Sequence, residues 1–504
     1  MLERISDIPR CWAARAPDHI AVIERGRTVT YAQLWDQVRQ ARHYLQSQGV
    51  ASGDRVQIVA ENTLAVITLI FALAELEAWP VVTNARMTAR EIEEIRVHCQ
   101  PRLLLFTHAA SPDALRHGLR YRAREIEAPG LGPLMAADVD EAGEREPAAL
   151  AREVAALIYT SGTTGQRKGV MVTHRGLLHY ARITVQSRRM TPEDCAYAVM
   201  PLSHIFGLAT LLLATLHAGG SLYLVARFNP DDACAALQRE TISILQGVPA
   251  MFSRILAHLQ RQNISTLRAQ RLRYLYTGGG PLEATLKRNV ETVFGQPLHH
   301  GYGMTEYAGS LFITRMDRPR QDCAAGEIVE GAQLRLVGPD GEPAPPGMPG
   351  ELWVKGPGVM HGYYRAPALT AEALRPDGWL NTGDIGRLGP DGALFIVGRT
   401  RDVILRSGFS VYPIEVESVI NSHPAVRLSA VVGKPADDGN EEVIAFVELR
   451  EGQPLDVDDL QAFLAERLSP YKRPARLVRV PLIPTTASGK LHKHRLRSML
   501  AELD

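Results

Sequence analysis

The sequence is poor in cysteine and has no paired cysteine motif. Five cysteines occur among 504 residues, and no two of them form a C-x-x-C pair; they are Cys11, Cys99, Cys195, Cys234 and Cys323. An odd, scattered set of this kind argues against a disulfide framework and a zinc site, and is typical of reduced thiols that pack as small hydrophobes. We therefore expect a cytoplasmic protein without structural disulfides.

Long hydrophobic runs and an excess of charge of one sign are also missing. The longest apolar runs, 64–74 and 207–216, have about half the length that a bilayer-spanning helix needs, and the N-terminus lacks the apolar core of a signal peptide. Lysine and arginine number 56 against 55 acidic residues, which leaves a formal net charge of +1. The composition therefore argues against a transmembrane segment and against a nucleic-acid partner.

What the sequence does contain is an alternation of short β-rich runs with helical patterns, from about residue 28 to 400. Strands are predicted at 55–60 and 103–106, and an apolar helix at 65–77. This rhythm predicts an α/β fold with parallel sheets. Dense glycine and proline with hairpin-like strands predict a small β subdomain at about 326–400. We expect an N-terminal domain over 1–400 and a small C-terminal α+β domain over 403–504.

The most informative segment is 159–170, Tyr-Thr-Ser-Gly-Thr-Thr-Gly-Gln-Arg-Lys-Gly-Val, which follows an apolar run. Backbone N–H groups freed by glycine, several hydroxyls and the Lys168 ammonium can converge there on a polyphosphate. The spacing is wrong for a Walker A loop, because Arg167 stands where the second glycine belongs and Gly169 follows Lys168 where serine or threonine is required. The loop therefore predicts nucleotide binding by another design.

Further polar segments recur at wide spacing, at 201–207, 277–281, 301–306, 378–384 and 485–490. The segment 301–306 offers an aromatic ring, a hydroxyl and a carboxylate, which suit adenine, phosphate and Mg²⁺. Asp384 ends a segment suited to ribose hydroxyls. Taken alone each segment is weak: His204 is most simply a core histidine, and Lys490 a solvated charge.

Together, in this order and at these distances, the segments closely resemble the adenylate-forming superfamily, which includes acyl- and aryl-CoA synthetases, luciferases and non-ribosomal peptide adenylation domains. The resemblance extends over nearly the whole chain. The CoA-synthetase branch is favoured by Ser-Gly-Phe-Ser-Val-Tyr-Pro at 407–413. The family usually has a proline where this chain has Arg167, so we expect a more mobile and more cationic loop.

The resemblance implies how ATP would be held. The phosphates would contact Thr160, Ser161, Gly162, Thr163, Thr164, Gly165 and Lys168. Adenine would lie against Gly278, Gly279, Gly280, Gly301, Tyr302 and Gly303, and the ribose against Asp384 and Arg399. Thr305 would contact the α-phosphate, and Glu306 with Thr164 would hold Mg²⁺.

The resemblance also implies two conformations. Lys490 would bridge the acyl carboxylate and the α-phosphate during adenylate formation, and a mobile C-terminal domain would then turn about Asp402 to admit CoA. Gly408, Tyr471 and Arg473 would lie along the CoA path. The partners would be ATP, CoA and a small acid, and we expect a monomer or a homodimer.

The implied acid pocket is nearly all apolar or glycine. Its residues would be His204, Phe206, Gly207, Phe252, Gly280, Met304 and Ser310. With only Arg254 nearby as a cation, this favours a hydrophobic monocarboxylic acid, fatty or aromatic, over a dicarboxylate such as malonate. His204 would face the carboxylate without acting as a base, since a carboxylate is already ionised at neutral pH. We therefore expect an ATP-dependent acid–CoA ligase that releases AMP and pyrophosphate. The alternatives are an enzyme that loads a carrier-protein thiol and a nucleotide-binding regulator without activity.

Overall fold

The chain alternates between strands and helices along its length. The structure, a computed structural model, describes residues 2–139, 142–161, 167–239, 241–406, 409–436, 441–453, 456–485 and 491–501. The α-helices are α1 (Asp7–Arg15), α2 (Tyr31–Ser47), α3 (Leu64–Glu75), α4 (Ala89–Cys99), α5 (Pro112–Arg120), α6 (Ala148–Glu153), α7 (His174–Ser187), α8 (Ala214–His217), α9 (Pro230–Arg239), α10 (Pro249–Arg261), α11 (Ala284–Phe294), α12 (Pro367–Ala373), α13 (Pro413–Asn421), α14 (Val457–Arg467) and α15 (Lys493–Ala501).

The strands match the predicted β-rich runs closely. They are β1 (Ile20–Glu24), β2 (Arg27–Thr30), β3 (Arg55–Ala60), β4 (Trp79–Asn84), β5 (Leu103–Phe106), β6 (Arg124–Ala128), β7 (Gly132–Ala137), β8 (Val154–Ser161), β9 (Arg167–Thr173), β10 (Cys195–Ala198), β11 (Ser221–Leu224), β12 (Ile244–Gly247), β13 (Tyr274–Gly278), β14 (Leu298–Met304), β15 (Gly309–Ile313), β16 (Glu327–Ile328), β17 (Gln333–Val337), β18 (Gly350–Lys355), β19 (Gly362–Tyr363), β20 (Leu380–Leu388), β21 (Leu394–Arg399), β22 (Ile404–Arg406), β23 (Phe409–Val411), β24 (Val426–Pro435), β25 (Glu441–Leu449) and β26 (Arg476–Arg479).

Two large sheets organise the N-terminal part. In the described residues one has the order β16-β15-β14-β13-β12-β10-β11-β1-β2 and the other the order β4-β3-β5-β7-β6. Neighbours from β14 through β12, β10 and β11 to β1 are parallel, so their carboxyl ends meet at one edge. A smaller sheet, β19-β9-β8, holds the two strands that flank the predicted phosphate loop. The predicted α/β class is confirmed.

The helices begin where side chains can cap them. Thr30 and Thr88 each accept a hydrogen bond from the third residue of the helix that follows, and that residue's side chain accepts one in return. Thr173 caps α7 in a simpler way, by accepting from the Gly176 N–H. These bonds satisfy backbone donors that the first turn of a helix leaves free. They fix where α7 starts, directly after the β8–β9 hairpin.

The apolar run predicted as a core helix at 207–216 begins as a π-helix, Phe206–Leu213, that continues into α8. Gly207 is required there, because a Cβ atom would lie 2.1 Å from the Pro201 carbonyl oxygen. A π-helical segment within a helix is rare and frequent at functional sites. Among the described residues, no helix is both long and apolar enough to cross a bilayer.

The rest of the chain forms smaller sheets. Strands β17-β18-β20-β21 form one sheet, β22-β23 a hairpin, and β24-β25-β26 a sheet covered by α13, α14 and α15. Helix α13 begins at Pro413, as its first-turn proline predicts. Its last residue, Asn421, donates a hydrogen bond to the Glu283 carboxylate, just before α11. In this structure the C-terminal part therefore contacts the N-terminal part between α13 and the start of α11.

Candidate active site

The predicted site residues converge at the carboxyl edge of the nine-stranded sheet. Strand β13 ends at Gly278 and pairs in parallel register with β14, which places Gly278 beside Gly301. Strand β14 continues to Met304 and is followed by a short helical turn, 305–307, that carries Thr305 and Glu306. The glycine segment and the acidic segment, which are separated in sequence, thus share one edge.

Packing requires Gly301 to be a glycine. A Cβ atom at Gly301 would lie 2.3 Å from the Tyr276 hydroxyl oxygen and 2.7 Å from the Phe312 carbonyl oxygen. At Gly303 a Cβ atom would lie 2.2 Å from the Gly309 carbonyl oxygen. Gly279 has a φ of +76°, which favours glycine, whereas Gly280 has only ordinary contacts. Strand β14 therefore has glycine at positions 301 and 303 because neighbouring atoms leave no room for a side chain.

A tyrosine connects the phosphate-loop lysine to the acidic turn. The Lys168 Nζ atom lies 4.9 Å from the centroid of the Tyr363 ring, and the Tyr363 hydroxyl donates a 3.0 Å hydrogen bond to Glu306. Burial and the Glu306 carboxylate raise the pKa of Tyr363, so its hydroxyl keeps its proton and acts as a donor. Sequence reasoning missed Tyr363. No local pattern identifies it, because its role depends on contacts with Lys168 and Glu306, which are distant in the chain.

Asp384 is the centre of a second polar group. Its carboxylate accepts a 2.6 Å hydrogen bond from Tyr302 and pairs at 3.0 Å with Arg399. Burial, followed by the Asp384 charge, raises the pKa of Tyr302 well above its usual value. The attraction of Asp384 outweighs burial and raises the pKa of Arg399. A carboxylate has about four acceptor positions, so Asp384 retains capacity for further hydroxyl donors.

The hairpin around the phosphate loop is well formed at its base. Thr160 pairs with Lys168, and Ser161 with Arg167. Gly162, Thr163, Thr164 and Gly165 lie outside the described residues, as does the side chain of Ser161. Arg167 is not a free cation: it forms an ion pair with Glu91 and lies 3.8 Å from Glu94, both on α4. The extra positive charge expected from the sequence is therefore neutralised by α4.

The predicted acid-pocket residues separate into two places. Phe206 lies in the core that also holds Tyr276, and its ring is edge-on to that tyrosine with 5.9 Å between the centroids. The Ser310 hydroxyl forms a hydrogen bond with the Tyr276 hydroxyl. Met304 packs against the same core. His204 is half-buried, and its Nδ1 atom accepts from the Phe206 N–H. Phe252 instead lies fully buried in a second core beneath α9, α10 and α11. The structure thus places Phe252, on α10, in a different core from Phe206 and Met304.

The residues assigned to domain rotation and CoA lie in the C-terminal part. The Asp402 carboxylate accepts a 3.0 Å bond from Arg497 of α15. The Arg406 side chain donates to the carbonyl oxygens of Tyr471 and Arg473, and the Arg473 side chain donates to the Leu468 carbonyl oxygen at the end of α14. Gly408 and Lys490 lie outside the described residues. Lys490 directly precedes Leu491, whose backbone pairs with Thr485.

This edge of the sheet combines Lys168, the Glu306 carboxylate and the Asp384 carboxylate, which is hydrogen-bonded to Tyr302. Such an arrangement is typical of a nucleotide-dependent enzyme. Comparison with known proteins agrees. The model of the AMP-binding enzyme family matches residues 10–364, and that of the AMP-binding enzyme C-terminal domain matches residues 415–490. The chain therefore belongs to the AMP-binding enzyme family, and it is an adenylate-forming acyl-CoA synthetase.

Individual relatives cover the whole length. A feruloyl-CoA synthase of Amycolatopsis is 35% identical over 491 residues, 96% of each chain. The ATP-bound crystal structure of MatB from Rhodopseudomonas palustris is 28% identical, covers 99% of each chain and superposes with a TM-score of 0.87. The o-succinylbenzoate coenzyme A synthetase of Bacillus subtilis, in complex with ATP and magnesium, is 27% identical over 97% of this chain and 99% of that chain, with a TM-score of 0.82.

Proposed function

We propose that the enzyme activates a hydrophobic, aromatic monocarboxylic acid. In the first step an oxygen of the acid carboxylate attacks the α-phosphorus of ATP, and the bond to the bridging oxygen breaks to release pyrophosphate. In the second step the CoA sulfur attacks the acyl carbon of the adenylate, AMP leaves, and the thiol proton passes to solvent. The aromatic preference is supported by the apolar walls of Phe206, Tyr276 and Met304 and by the aryl substrates in the names of two relatives.

The observation that supports the ATP-dependent chemistry most strongly is the convergence of Lys168, Tyr363 and Glu306. The attack brings two anions together, so cationic groups and donors stabilise it most where charge accumulates. Lys168 is positioned beside the loop that would grip the leaving pyrophosphate, together with Thr160. Tyr363 fixes Glu306 from one side. Thr305, which is buried at the start of the same turn, would contact the α-phosphate.

The donor set near Glu306 fits Mg²⁺. The ion usually binds through one or two carboxylates together with substrate phosphates and water, and does not need a cage of protein ligands. Glu306, which one hydroxyl holds at 3.0 Å, is such a carboxylate, and Thr164 is its proposed companion. When bound, the ion would neutralise charge on the phosphates.

We propose that the ribose binds Asp384. Tyr302 and Arg399 occupy one acceptor position on each of its oxygens, and the remaining positions suit two vicinal hydroxyls. Adenine would then lie at the carboxyl ends of β13 and β14, against Gly278, Gly279, Gly280, Gly301 and Gly303. The Tyr302 ring, which is partly exposed, would stack against adenine through its face.

We propose domain boundaries at about residues 400 and 403, with Asp402 as the hinge. The Asp402–Arg497 bond and the Asn421–Glu283 bond would both form and break as the C-terminal domain rotates. Lys490 would act in the first step, and Gly408, Tyr471 and Arg473 would lie near CoA in the second. Because ATP and CoA are the co-substrates, we also propose a cytoplasmic enzyme, working as a monomer or homodimer.

A panel of carboxylic acids tests the proposal. Each acid is incubated with ATP, Mg²⁺ and CoA, and AMP, ADP and the acyl-CoA thioester are quantified. We expect AMP and thioester in equal amounts with aromatic acids. Release of ADP, or no turnover with any acid, would contradict the reaction; turnover limited to short polar acids would contradict the substrate class. Replacing CoA by a phosphopantetheinylated carrier protein distinguishes an acyl-CoA product from carrier loading.

A further inference from the structure

Behind the predicted acid pocket lies a fully buried polar cluster that the sequence did not reveal. Helix α7 presents Tyr180, and Arg188 directly follows the last residue of this helix. Strands β12 and β13 present Gln246, Tyr274 and Tyr276 on the face that looks toward α7. Each of these side chains is at most 2% exposed. The cluster therefore lies between helix and sheet, away from bulk water.

Arg188 is a buried cation without a carboxylate partner in the described residues. Its Cζ atom lies 4.4 Å from the Tyr276 ring centroid and 5.5 Å from that of Tyr274, and its Nη1 atom donates to the Gln246 side-chain oxygen. Burial opposes its charge, but the tyrosine oxygens around it outweigh burial and raise the pKa of Arg188. The guanidinium is therefore charged where it is buried.

Three donors of the cluster lack an acceptor at hydrogen-bond distance. Arg188 Nε, Arg188 Nη2 and Gln246 Nε2 are buried and have no hydrogen-bond acceptor among the described residues. Leaving a buried donor without an acceptor is costly, and more so for a charged group. An oxygen acceptor brought in from outside the protein chain would satisfy these three donors.

The cluster is connected to the acid pocket through hydroxyl groups. The Tyr180 hydroxyl donates at 2.8 Å to the Ser310 hydroxyl, and the Tyr276 hydroxyl lies 3.2 Å from the same Ser310 oxygen. Ser310 and Phe206, which lies edge-on to Tyr276, are both predicted pocket residues. Because Arg188 contacts the Tyr276 ring, it lies one side chain beyond Ser310 and Phe206.

We propose that Arg188 and Gln246 form a specificity subsite for an oxygen acceptor at the far end of the acid. This inference rests on the proposed acid–CoA ligase function. It narrows the substrate class to aromatic acids with a distal hydroxyl, or extends that class to aromatic acids with a distal carboxylate. The sequence predicted only Arg254 as a cation near the pocket, because Arg188 resembles an ordinary helix-terminal arginine there. Sites built to hydrogen-bond a substrate group discriminate strongly against analogues that lack it.

The test uses matched acids. Benzoate and cinnamate, each with its para-hydroxy and para-carboxy derivatives, are compared as substrates by kcat/KM for acid-dependent AMP release. In the wild type we expect an oxygen-bearing derivative to exceed its parent acid by about tenfold or more. The hydroxy and carboxy arms show which oxygen group the subsite takes. In Arg188→Met the preference should fall to within about threefold of unity, because the charge and two of the three unpaired donors are gone. Because the two kcat/KM values are compared within the same variant, their ratio does not depend on how much of that variant is folded.

The control is Arg387→Met, which removes another arginine stacked on an aromatic ring, Phe395, in the small β sheet; its substrate ratios should equal those of the wild type. If Arg188→Met does not fold, Gln246→Leu should reduce the same preference. The inference is overturned if the wild type uses parent and derivative acids equally, or if Arg188→Met retains the preference. In either case turnover of the parent acids would leave the proposed ligase function intact, whereas no turnover of any acid would contradict that function itself.

Discussion

At the level of single residues, Tyr363 offers a direct test of the phosphate end of the site. Its hydroxyl fixes Glu306 at 3.0 Å while its ring carries the Lys168 ammonium. Tyr363→Phe removes the first contact and keeps the second. A hydrogen bond to a charged group contributes about 1.5–3 kcal/mol, so kcat/KM for ATP should fall by about tenfold or more, with a raised Mg²⁺ requirement.

Tyr364→Phe is a matched control for this prediction. The neighbouring hydroxyl donates to Glu146 at 2.7 Å, away from the site. It should lower stability without changing the Mg²⁺ requirement. Equal effects of the two variants on ATP kinetics would contradict the role given to Tyr363.

Single residues also show what sequence could not resolve. Lys168, Glu306 and Asp384 could be proposed from the sequence because their neighbours form ordered motifs. Tyr363 and Arg188 lie in no such motif, and their roles depend on contacts between segments that are distant in the chain. The charge expected at Arg167 depended on residues of α4 that no local pattern connects to it.

At the level of elements, strand β14 depends on the absence of a side chain at Gly301. Gly301→Ala forces a Cβ atom to 2.3 Å from the Tyr276 hydroxyl, and overpacking of this kind costs about 1–3 kcal/mol. Gly280→Ala, whose nearest neighbour would be 3.6 Å away, should leave the free energy of unfolding within about 0.5 kcal/mol of the wild type. Denaturant unfolding of both variants measures the difference.

Tyr276→Phe provides the second arm of that experiment. Removing the hydroxyl opens space for the new methyl group, so Gly301→Ala should cost less in the Tyr276→Phe background than in the wild type. Strictly additive costs would show that the clash with the Phe312 carbonyl oxygen, at 2.7 Å, dominates instead.

The elements themselves were largely predictable. The runs at 55–60 and 103–106 became β3 and β5 with unchanged bounds, because buried parallel strands are continuous apolar segments. The order of strands within each sheet was not predictable, since it depends on long-range pairing. The π-helical start at Phe206 was also missed, because an apolar run does not distinguish a π-helix from an α-helix.

At the level of the whole molecule, buried histidines make stability sensitive to acid. Burial lowers the pKa of His174, His299 and His300 to about 4. Below the unfolded value of about 6.5, the unfolded chain takes up protons that the fold excludes, so stability falls as pH drops from about 6.5 to about 4. At pH 5 each fully buried histidine should cost about 2 kcal/mol relative to pH 7.

His174→Gln separates this effect from general acid denaturation. The backbone N–H of Ile5 donates to His174, and glutamine can accept that bond without titrating. The loss in unfolding free energy between pH 7 and pH 5 should shrink by about 2 kcal/mol. His43→Gln, at an exposed histidine, is the control and should leave the pH dependence unchanged.

The proposed rotation of the C-terminal domain between two arrangements can be tested at Lys490. Lys490→Ala should abolish adenylate formation and spare thioester formation from a supplied acyl-adenylate, because the lysine would act only in the first arrangement of the C-terminal domain. Single-turnover assays of the two half-reactions measure this. An equal loss in both steps would contradict a rotation about Asp402.

The central claim is that the acid attacks the α-phosphate of ATP. Exchange of labelled pyrophosphate into ATP, measured with an aromatic acid and Mg²⁺ in the absence of CoA, tests it most directly. The account predicts exchange that requires the acid and is lost in Lys490→Ala. Exchange without acid, or incorporation of labelled phosphate in place of pyrophosphate, would contradict it.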